Sequence, residues 1–292
     1  MVSRALVYGG VIKDYLVLTK PGIVLLVLIT TLTGMYFAQR GFPEPWLVFW
    51  TLLGTGLASA GSAGLNQFFD RDIDVLMERT RERPLPSGSI NPKNAALFSL
   101  MLIALSLVVL SLKVNLLTTA LVLFASLFYV MVYTIALKRR SPLATEIGGI
   151  SGSMPPLIGY SAVKGEIGFE ALILFVIMFL WQPPHFWVLA IKYAEDYRRA
   201  GIPTMPVAKG IEHTKIKTLV YTAALLPASL LPSIYGFAGY IYFISALVLS
   251  LIYLLLTLKF TFSKKTNSNF IFFYSVLYIA LLFSIMVFDM RR

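Results

Sequence analysis

Three side chains with oxygen donors, Asn66, Asp70 and Asp74, recur at every fourth position along one stretch of the chain. On a helix each step of four overshoots a full turn by only ~40°, so the three fall in one row. Two carboxylates at i,i+4 repel by roughly 0.2–0.5 kcal/mol in water. The repulsion grows at a membrane boundary unless a cation lies between them. An oxygen-only donor set suits a hard divalent ion that keeps some of its waters and also grips phosphates. The row therefore reads as a Mg²⁺–diphosphate site. A plainer account is a solvated helix face of mixed charge, since Glu78 and Glu82 continue the row and Arg71, Arg79 and Arg83 run beside it. Economy favours the site: charged residues are 13% of the chain, yet five of its fourteen acidic residues lie between positions 66 and 86.

The elements that must position this row are set by composition. The 292 residues are 58% hydrophobic, with a mean hydropathy of +0.78, far above soluble domains and typical of polytopic membrane proteins. The absence of cysteine excludes disulfides, thiolate metal sites and cysteine nucleophiles. Two histidines, His185 and His213, are too few for a multi-histidine metal site. The net charge of +11 fits loops facing an anionic leaflet, with no nucleic-acid partner.

Met1–Lys20 is short, mixed and basic and does not read as a removable signal peptide. Nine apolar spans follow, at Gly22–Gln39, Trp46–Leu65, Ala95–Leu112, Leu116–Leu137, Ile147–Val163, Phe169–Ile191, Thr218–Phe237, Tyr240–Lys259 and Phe270–Phe288. The expectation is an all-α, polytopic membrane protein, a single domain over 1–292, with about nine transmembrane helices around a central cavity. With the N-terminus inside, twenty of the 25 Lys and Arg residues lie on the inner side and only Arg40, Lys113, Lys164, Arg291 and Arg292 outside. The bias supports a cytoplasmic N-terminus and an outer C-terminus in a cell membrane. The loop with Lys264 and Lys265 needs no explanation beyond that bias.

Three spans stand out. The second is crowded with Gly54, Gly56, Ser59, Ala60, Gly61, Ser62, Ala63 and Gly64, which let helix backbones approach closely. The fifth carries Pro155-Pro156 and the sixth Trp181-Gln182-Pro183-Pro184-His185-Phe186. Proline pairs break the helical hydrogen-bond ladder. In lipid the freed groups are tolerated only where protein or a polar cavity satisfies them again. The two spans therefore point to a cavity between them. His185 has three readings: a haem-iron ligand, a contact to a haem propionate, or a hydrogen bond across helices.

Two further inner loops face the same side as Asp70. One holds Lys192, Glu195 and Asp196, the other Tyr133, Lys138 and Arg139. Lys138 and Arg139 are suited to neutralising a diphosphate, although positive-inside bias accounts for most such charges. Asp72 lies ~200° round the helix from Asp70 and is assigned no metal. It serves Arg71 or a basic loop residue, or else the helix unwinds there.

Together these stretches resemble the UbiA-type intramembrane prenyltransferases. The resemblance rests on Tyr15–Ile23, on Asn66…Asp70-Arg-Asp-Ile-Asp74…Met77-Glu-Arg-Thr80…Arg83-Pro-Leu85, on Tyr133-Thr…Leu-Lys-Arg139 and on Ile147–Gly159. Trp181-Gln-Pro-Pro-His-Phe186 and Asp196-Tyr…Ala-Gly-Ile-Pro203…Met-Pro-Val207 are the more specific matches, and they single out the haem branch. The resemblance implies a helical membrane fold around a cavity capped by two acidic motifs. It implies Mg²⁺-dependent transfer of a prenyl group, farnesyl or longer, from its diphosphate to a vinyl group of haem b with addition of water. A downstream haem A synthase is the implied partner. Asn66, Asp70, Asp74 and Asp196 match the metal and catalytic positions. Arg83, Tyr133, Lys138, Arg139, Lys192 and His185 are the candidate substrate contacts. Position 192 is lysine where many relatives carry an acidic residue, which puts a complete second Mg²⁺ site in doubt: Glu195 is the substitute, or Lys192 meets phosphate directly.

The expected chemistry is ionisation of an allylic diphosphate. Mg²⁺ with Lys and Arg stabilises the leaving group. Aromatic faces, with Phe68, Phe69, Tyr129, Tyr133 and Trp181 as candidates, stabilise the prenyl cation by roughly 0.5–2 kcal/mol each. Two alternatives stay open: a related enzyme acting on a quinone precursor or chlorin, and a cation or phosphate transporter. A transporter would be expected to carry acidic residues at mid-membrane and internal repeats.

Overall fold

The computed structural model describes the backbone of residues 2–263 and 268–290, with side chains from Gly10 onward. Lys264, Lys265, Arg291 and Arg292 lie outside the described residues, as does the side chain of Arg4. The chain folds as helices α1 (Val2–Leu18), α2 (Pro21–Gln39), α3 (Pro45–Asp74), α4 (Pro92–Lys113) and α5 (Leu116–Leu127), which runs on as a π-helix (Phe128–Leu137). There follow α6 (Ala144–Gly152), α7 (Met154–Lys164), α8 (Phe169–Lys192), α9 (Ala194–Arg199), α10 (Met205–Ala208), α11 (Ile211–Ile234), α12 (Tyr240–Phe262) and α13 (Asn269–Phe288).

Eight of these stretches are long and apolar enough to cross a membrane. The ninth expected span, the fifth in order, is realised as two short helices, α6 and α7. Pro155 and Pro156 have no N–H for the carbonyls one turn back, so the helix breaks at Ser153 and the prolines open α7, where a missing N–H costs nothing. The sixth span behaves differently: α8 continues through Pro183 and Pro184. Large apolar side chains such as Leu100, Met101, Leu105 and Leu112 of α4 face outward, a lipid-facing surface that water would not tolerate.

The small residues bring backbones together. A Cβ at Gly159 of α7 would lie 1.9 Å from the Thr31 carbonyl oxygen of α2, and one at Gly34 of α2 would lie 2.1 Å from the Pro156 carbonyl oxygen. Gly61 of α3 meets the Ser99 carbonyl of α4 in the same way, at 2.5 Å, and the Ser106 hydroxyl donates to the Gly54 carbonyl at 2.7 Å. At the chain's far end Asp289 accepts from the Tyr242 N–H at 2.7 Å and so caps α12 from outside the helix.

The thirty residues of α3 make a helix of about 45 Å, against a hydrocarbon core of about 30 Å. Its last turns, with Asp70 and Asp74, therefore extend to the membrane boundary. The same end carries Lys20, the 75–91 loop, the end of the π-helix and α9, which side-chain hydrogen bonds and ion pairs join to one another.

Candidate active site

Asn66, Asp70 and Asp74 form the expected row on α3 and are buried, with Asp70 at 0% exposure. Each is met by a basic residue from a different element. Lys20, at the joint between α1 and α2, donates to Asn66 Oδ1 at 2.7 Å. Asn66 Nδ2 donates to Asp70 Oδ2 at 2.7 Å and to Thr134 at 3.2 Å. Lys138 pairs with the same Asp70 oxygen. Arg83, from the loop after α3, pairs with Asp74 Oδ2 at 2.7 Å, and Thr80 closes that loop on the Asp74 carbonyl at 2.9 Å.

The second oxygen of Asp70, Oδ1, is buried with no hydrogen-bond partner among the described residues. A desolvated carboxylate oxygen left bare is costly. With the oxygens of Asn66 and Asp74 one turn either side, it belongs to a hard-donor set of the kind a divalent cation uses. The residues present therefore fit a Mg²⁺ ion.

Local backbone form places the basic partners. The π-helix has i→i+5 hydrogen bonds, so residues five apart stack on one face. Lys138 N–H donates to the Tyr133 carbonyl at 2.9 Å, and the Thr134 hydroxyl donates to the Tyr129 carbonyl at 2.9 Å. Tyr133 and Lys138 thus share a crevice of about 10 Å³, together with Ser141, Phe186, Tyr197 and Thr204, room for about one water. Tyr129 and Tyr133 stack with centroids 5.5 Å apart. Gly148 is required beside them, since a Cβ there would lie 2.4 Å from the Tyr133 ring.

Lys20 is a residue that sequence reasoning missed, although it stands immediately before Pro21 and the first span. It adopts the left-handed region, φ 51° and ψ 65°, uncommon for a residue with a Cβ. Gln67 of α3 holds the preceding turn by donating to the Leu18 carbonyl at 2.8 Å. Burial, then the charges of Arg83 and Lys138, pull the Lys20 ammonium down to about 7, against the opposing pull of Asp70 and Asp74.

Asp72 faces away, 61% exposed, and is held by Arg139 through two hydrogen bonds of 2.7 and 2.6 Å. The basic residue it serves is therefore on the loop after the fourth span. Arg139 also donates to the Phe69 carbonyl. Arg139 thus braces the end of α3 in this conformation.

Asp196 of α9 is nearly buried and pairs with Arg199, which also reaches Glu78 at 3.4 Å. Glu195 is exposed and pairs with Arg198. Lys192 lies over the Tyr193 ring at 5.2 Å, and Arg79 over the same ring at 5.5 Å. All of these but Arg198 line a neighbouring cleft of about 480 Å³. Among the described residues no three carboxylate or imidazole side chains converge on one point. Asp196 therefore borders an adjoining cleft and does not complete the Asp70–Asp74 pair.

The two proline-rich stretches do face each other, and Gln182 fills the space between them. Its amide donates to Ser153 Oγ at 2.7 Å and to the Gly149 carbonyl at 3.1 Å, satisfying groups near the break at Ser153. A Cβ at Gly152 would lie 2.2 Å from Gln182 Oε1. His185, one residue before the crevice-lining Phe186, faces α13: its ring is stacked between Trp181 and Phe272, each 4.6 Å away, and Nδ1 lies 2.7 Å from Ser275 Oγ. Trp181 donates to the Ser275 carbonyl at 2.7 Å, so it packs α8 on α13 and lies away from the Asp70 cluster. Phe68 packs with Leu18, Leu85 and Ile90.

A model of the UbiA prenyltransferase family matches residues 27–284. The chain belongs to this family. It is 60% identical to a protoheme IX farnesyltransferase of Aquifex aeolicus (strain VF5) over the full length of both chains. It is 41% identical to a protoheme IX farnesyltransferase of Neorickettsia sennetsu, covering 95% of this chain and 92% of that one. Among solved structures it resembles a digeranylgeranylglyceryl phosphate synthase, with a TM-score of 0.80, 20% identity and coverage of 95% and 98%. A UbiA homolog from Archaeoglobus fulgidus bound to GPP and Mg²⁺ matches with a TM-score of 0.66, 20% identity and coverage of 94% and 99%. The likeness to these structures establishes the UbiA fold. Eight apolar spans in a UbiA chain make it a multi-pass membrane protein.

Proposed function

We propose that this chain transfers a farnesyl group from farnesyl diphosphate to a vinyl group of haem b, adding water and releasing diphosphate. The observation that carries the proposal is the 60% identity, end to end, with a protoheme IX farnesyltransferase. The site chemistry supports it. The allylic C–O bond breaks and its electron pair leaves with the diphosphate. The terminal vinyl carbon bonds to the farnesyl carbon, the resulting cation beside the macrocycle takes a water oxygen, and one proton leaves.

Asn66, Asp70 and Asp74 would hold Mg²⁺, which when bound supplies Lewis-acid neutralisation of the leaving group. Lys138, Arg83 and Lys20 surround the same oxygens and stabilise the diphosphate as its charge develops. Arg139 acts by bracing α3 through the Phe69 carbonyl and Asp72. Lys192 and Asp196, beside the adjoining cleft, assist at the entrance. The stacked Tyr129 and Tyr133 offer ring faces to the farnesyl cation.

His185 is the proposed haem contact. The Ser275 hydroxyl donates to the Phe272 carbonyl at 2.6 Å, so its oxygen accepts from His185 Nδ1–H. That leaves Nε2 as the basic nitrogen, the arrangement in which a partner on one ring nitrogen prepares the other for iron. The charge bias of the loops supports a site on the cytoplasmic side of a cell membrane. Haem A synthase would consume the product.

The test is incubation of the detergent-purified protein with haem b, farnesyl diphosphate and Mg²⁺, followed by mass spectrometry of the pigments. The expected product is haem carrying one farnesyl and one hydroxyl group, absent when EDTA replaces Mg²⁺. Unmodified haem together with a prenylated quinone precursor would overturn the acceptor. Unchanged farnesyl diphosphate with every acceptor would return the transporter reading.

A further inference from the structure

Three of the five side-chain oxygens of Asn66, Asp70 and Asp74 are already occupied by side-chain donors. Lys20 holds Asn66 Oδ1. Lys138 and the Asn66 amide hold Asp70 Oδ2. Arg83 holds Asp74 Oδ2. Asp70 Oδ1 is fully buried and has no partner among the described residues. A metal ion arriving alone therefore meets the bare Asp70 Oδ1 beside oxygens that basic side chains already hold. To gather the others it must displace hydrogen bonds that are charge-assisted and shielded from water. A diphosphate changes the balance, because its oxygens give the same three basic side chains new acceptors and release Asn66, Asp70 and Asp74.

We propose that Lys20 and Lys138 compete with the metal for these oxygens, so that this protein captures a divalent cation strongly only together with a diphosphate. Lys20 is the new element: a positioning residue that blocks the Asn66 ligand oxygen until diphosphate draws it away. The left-handed backbone at Lys20, fixed between Gln67's grip on Leu18 and the ring of Pro21, directs its side chain at Asn66. The cation is thus conditional on the leaving group it serves. This rests on the reading of the site as one for a divalent ion and diphosphate.

Mn²⁺ binding to the full-length protein in detergent, followed by electron paramagnetic resonance with and without inorganic pyrophosphate and corrected for Mn²⁺–pyrophosphate in solution, tests it. In the wild type, pyrophosphate should tighten Mn²⁺ binding by about tenfold or more, within the usual range of coupling between two ligands. Lys20→Met and Lys138→Met should each tighten Mn²⁺ alone by roughly threefold or more and shrink the coupling, as expected when a competing cation is removed. Lys20→Arg should restore wild-type behaviour. If Lys138→Met fails to fold, Lys20→Met decides, because among the described residues the Lys20 side chain makes its hydrogen bond to Asn66 alone. Equal Mn²⁺ affinity with and without pyrophosphate in the wild type, or unchanged Mn²⁺ affinity in Lys20→Met, overturns the exchange while leaving the metal site standing. No Mn²⁺ bound even with pyrophosphate overturns both.

Discussion

Asp70 and Asp72 stand two positions apart in one motif and should respond oppositely to the same substitution. Asp70 is at 0% exposure and bears an unpartnered oxygen, whereas Asp72 is 61% exposed with both oxygens on Arg139. Asp70→Asn removes the charge and keeps the shape. The new amide still offers an oxygen to Lys138, so the stability loss should fall below the ~3–5 kcal/mol of a buried pair broken outright. Catalysis should lose more. Removing one preorganised group that stabilises leaving-group charge costs about 3–4 kcal/mol, or roughly 10²–10³ in kcat/KM. For Asp72→Asn the exposed pair contributes at most ~1 kcal/mol. Arg139 keeps its bond to the Phe69 carbonyl, and activity should stay within about threefold of wild type. Steady-state turnover of farnesyl diphosphate and thermal unfolding of both variants in one detergent give the comparison. Asp70→Asn within tenfold of wild type, or Asp72→Asn the more damaging, would refute the assignment.

Gly159→Ala sets a methyl 1.9 Å from the Thr31 carbonyl. Because that neighbour is backbone, the upper part of the ~1–3 kcal/mol overpacking range is expected as a lower unfolding temperature; an unchanged temperature would mean that α2 and α7 are not in contact. Gln182→Leu removes the 2.7 Å donor to Ser153 Oγ inside the membrane, while Ser153 keeps its own bond to the Gly149 carbonyl, a loss of about 0.6–2 kcal/mol, and a variant as stable as wild type would contradict this bridge. His185→Phe keeps the stack on Trp181 and Phe272 but removes Nε2. Haem binding, followed by the Soret shift, should weaken about tenfold, the equivalent of ~1.4 kcal/mol, while farnesyl diphosphate binding holds. Equal haem affinity would return His185 to packing alone.

The sequence carried much of this architecture for identifiable reasons. Apolar runs announce membrane helices, because backbone in lipid must satisfy itself. The Asn66–Asp70–Asp74 row is readable because a step of four stays on one helix face. What was not readable depends on contacts distant in sequence. Lys20 looks like an ordinary flanking charge until Gln67 and Asn66 are seen beside it. The π-helix at 128–137 leaves no mark in an apolar run, yet it alone places Tyr133 and Lys138 on one face. Prolines in pairs have two outcomes here, a break in one span and a continuous helix in the next, decided by packing. Asp196 shares the charge and the side of the membrane with Asp70, but whether two acidic motifs meet depends on how loops close, which spacing does not encode.

In the proposed reaction the Asp70 cluster holds a metal ion and the diphosphate together. A crystal structure with Mn²⁺ and a non-ionising farnesyl thiodiphosphate tests it most directly, through anomalous scattering. The expected result is a Mn²⁺ peak on Asp70 Oδ1, with the diphosphate between that ion and Lys138, Arg83 and Lys20. A diphosphate seated elsewhere, with Lys138 still on Asp70 and no peak at that oxygen, would contradict it.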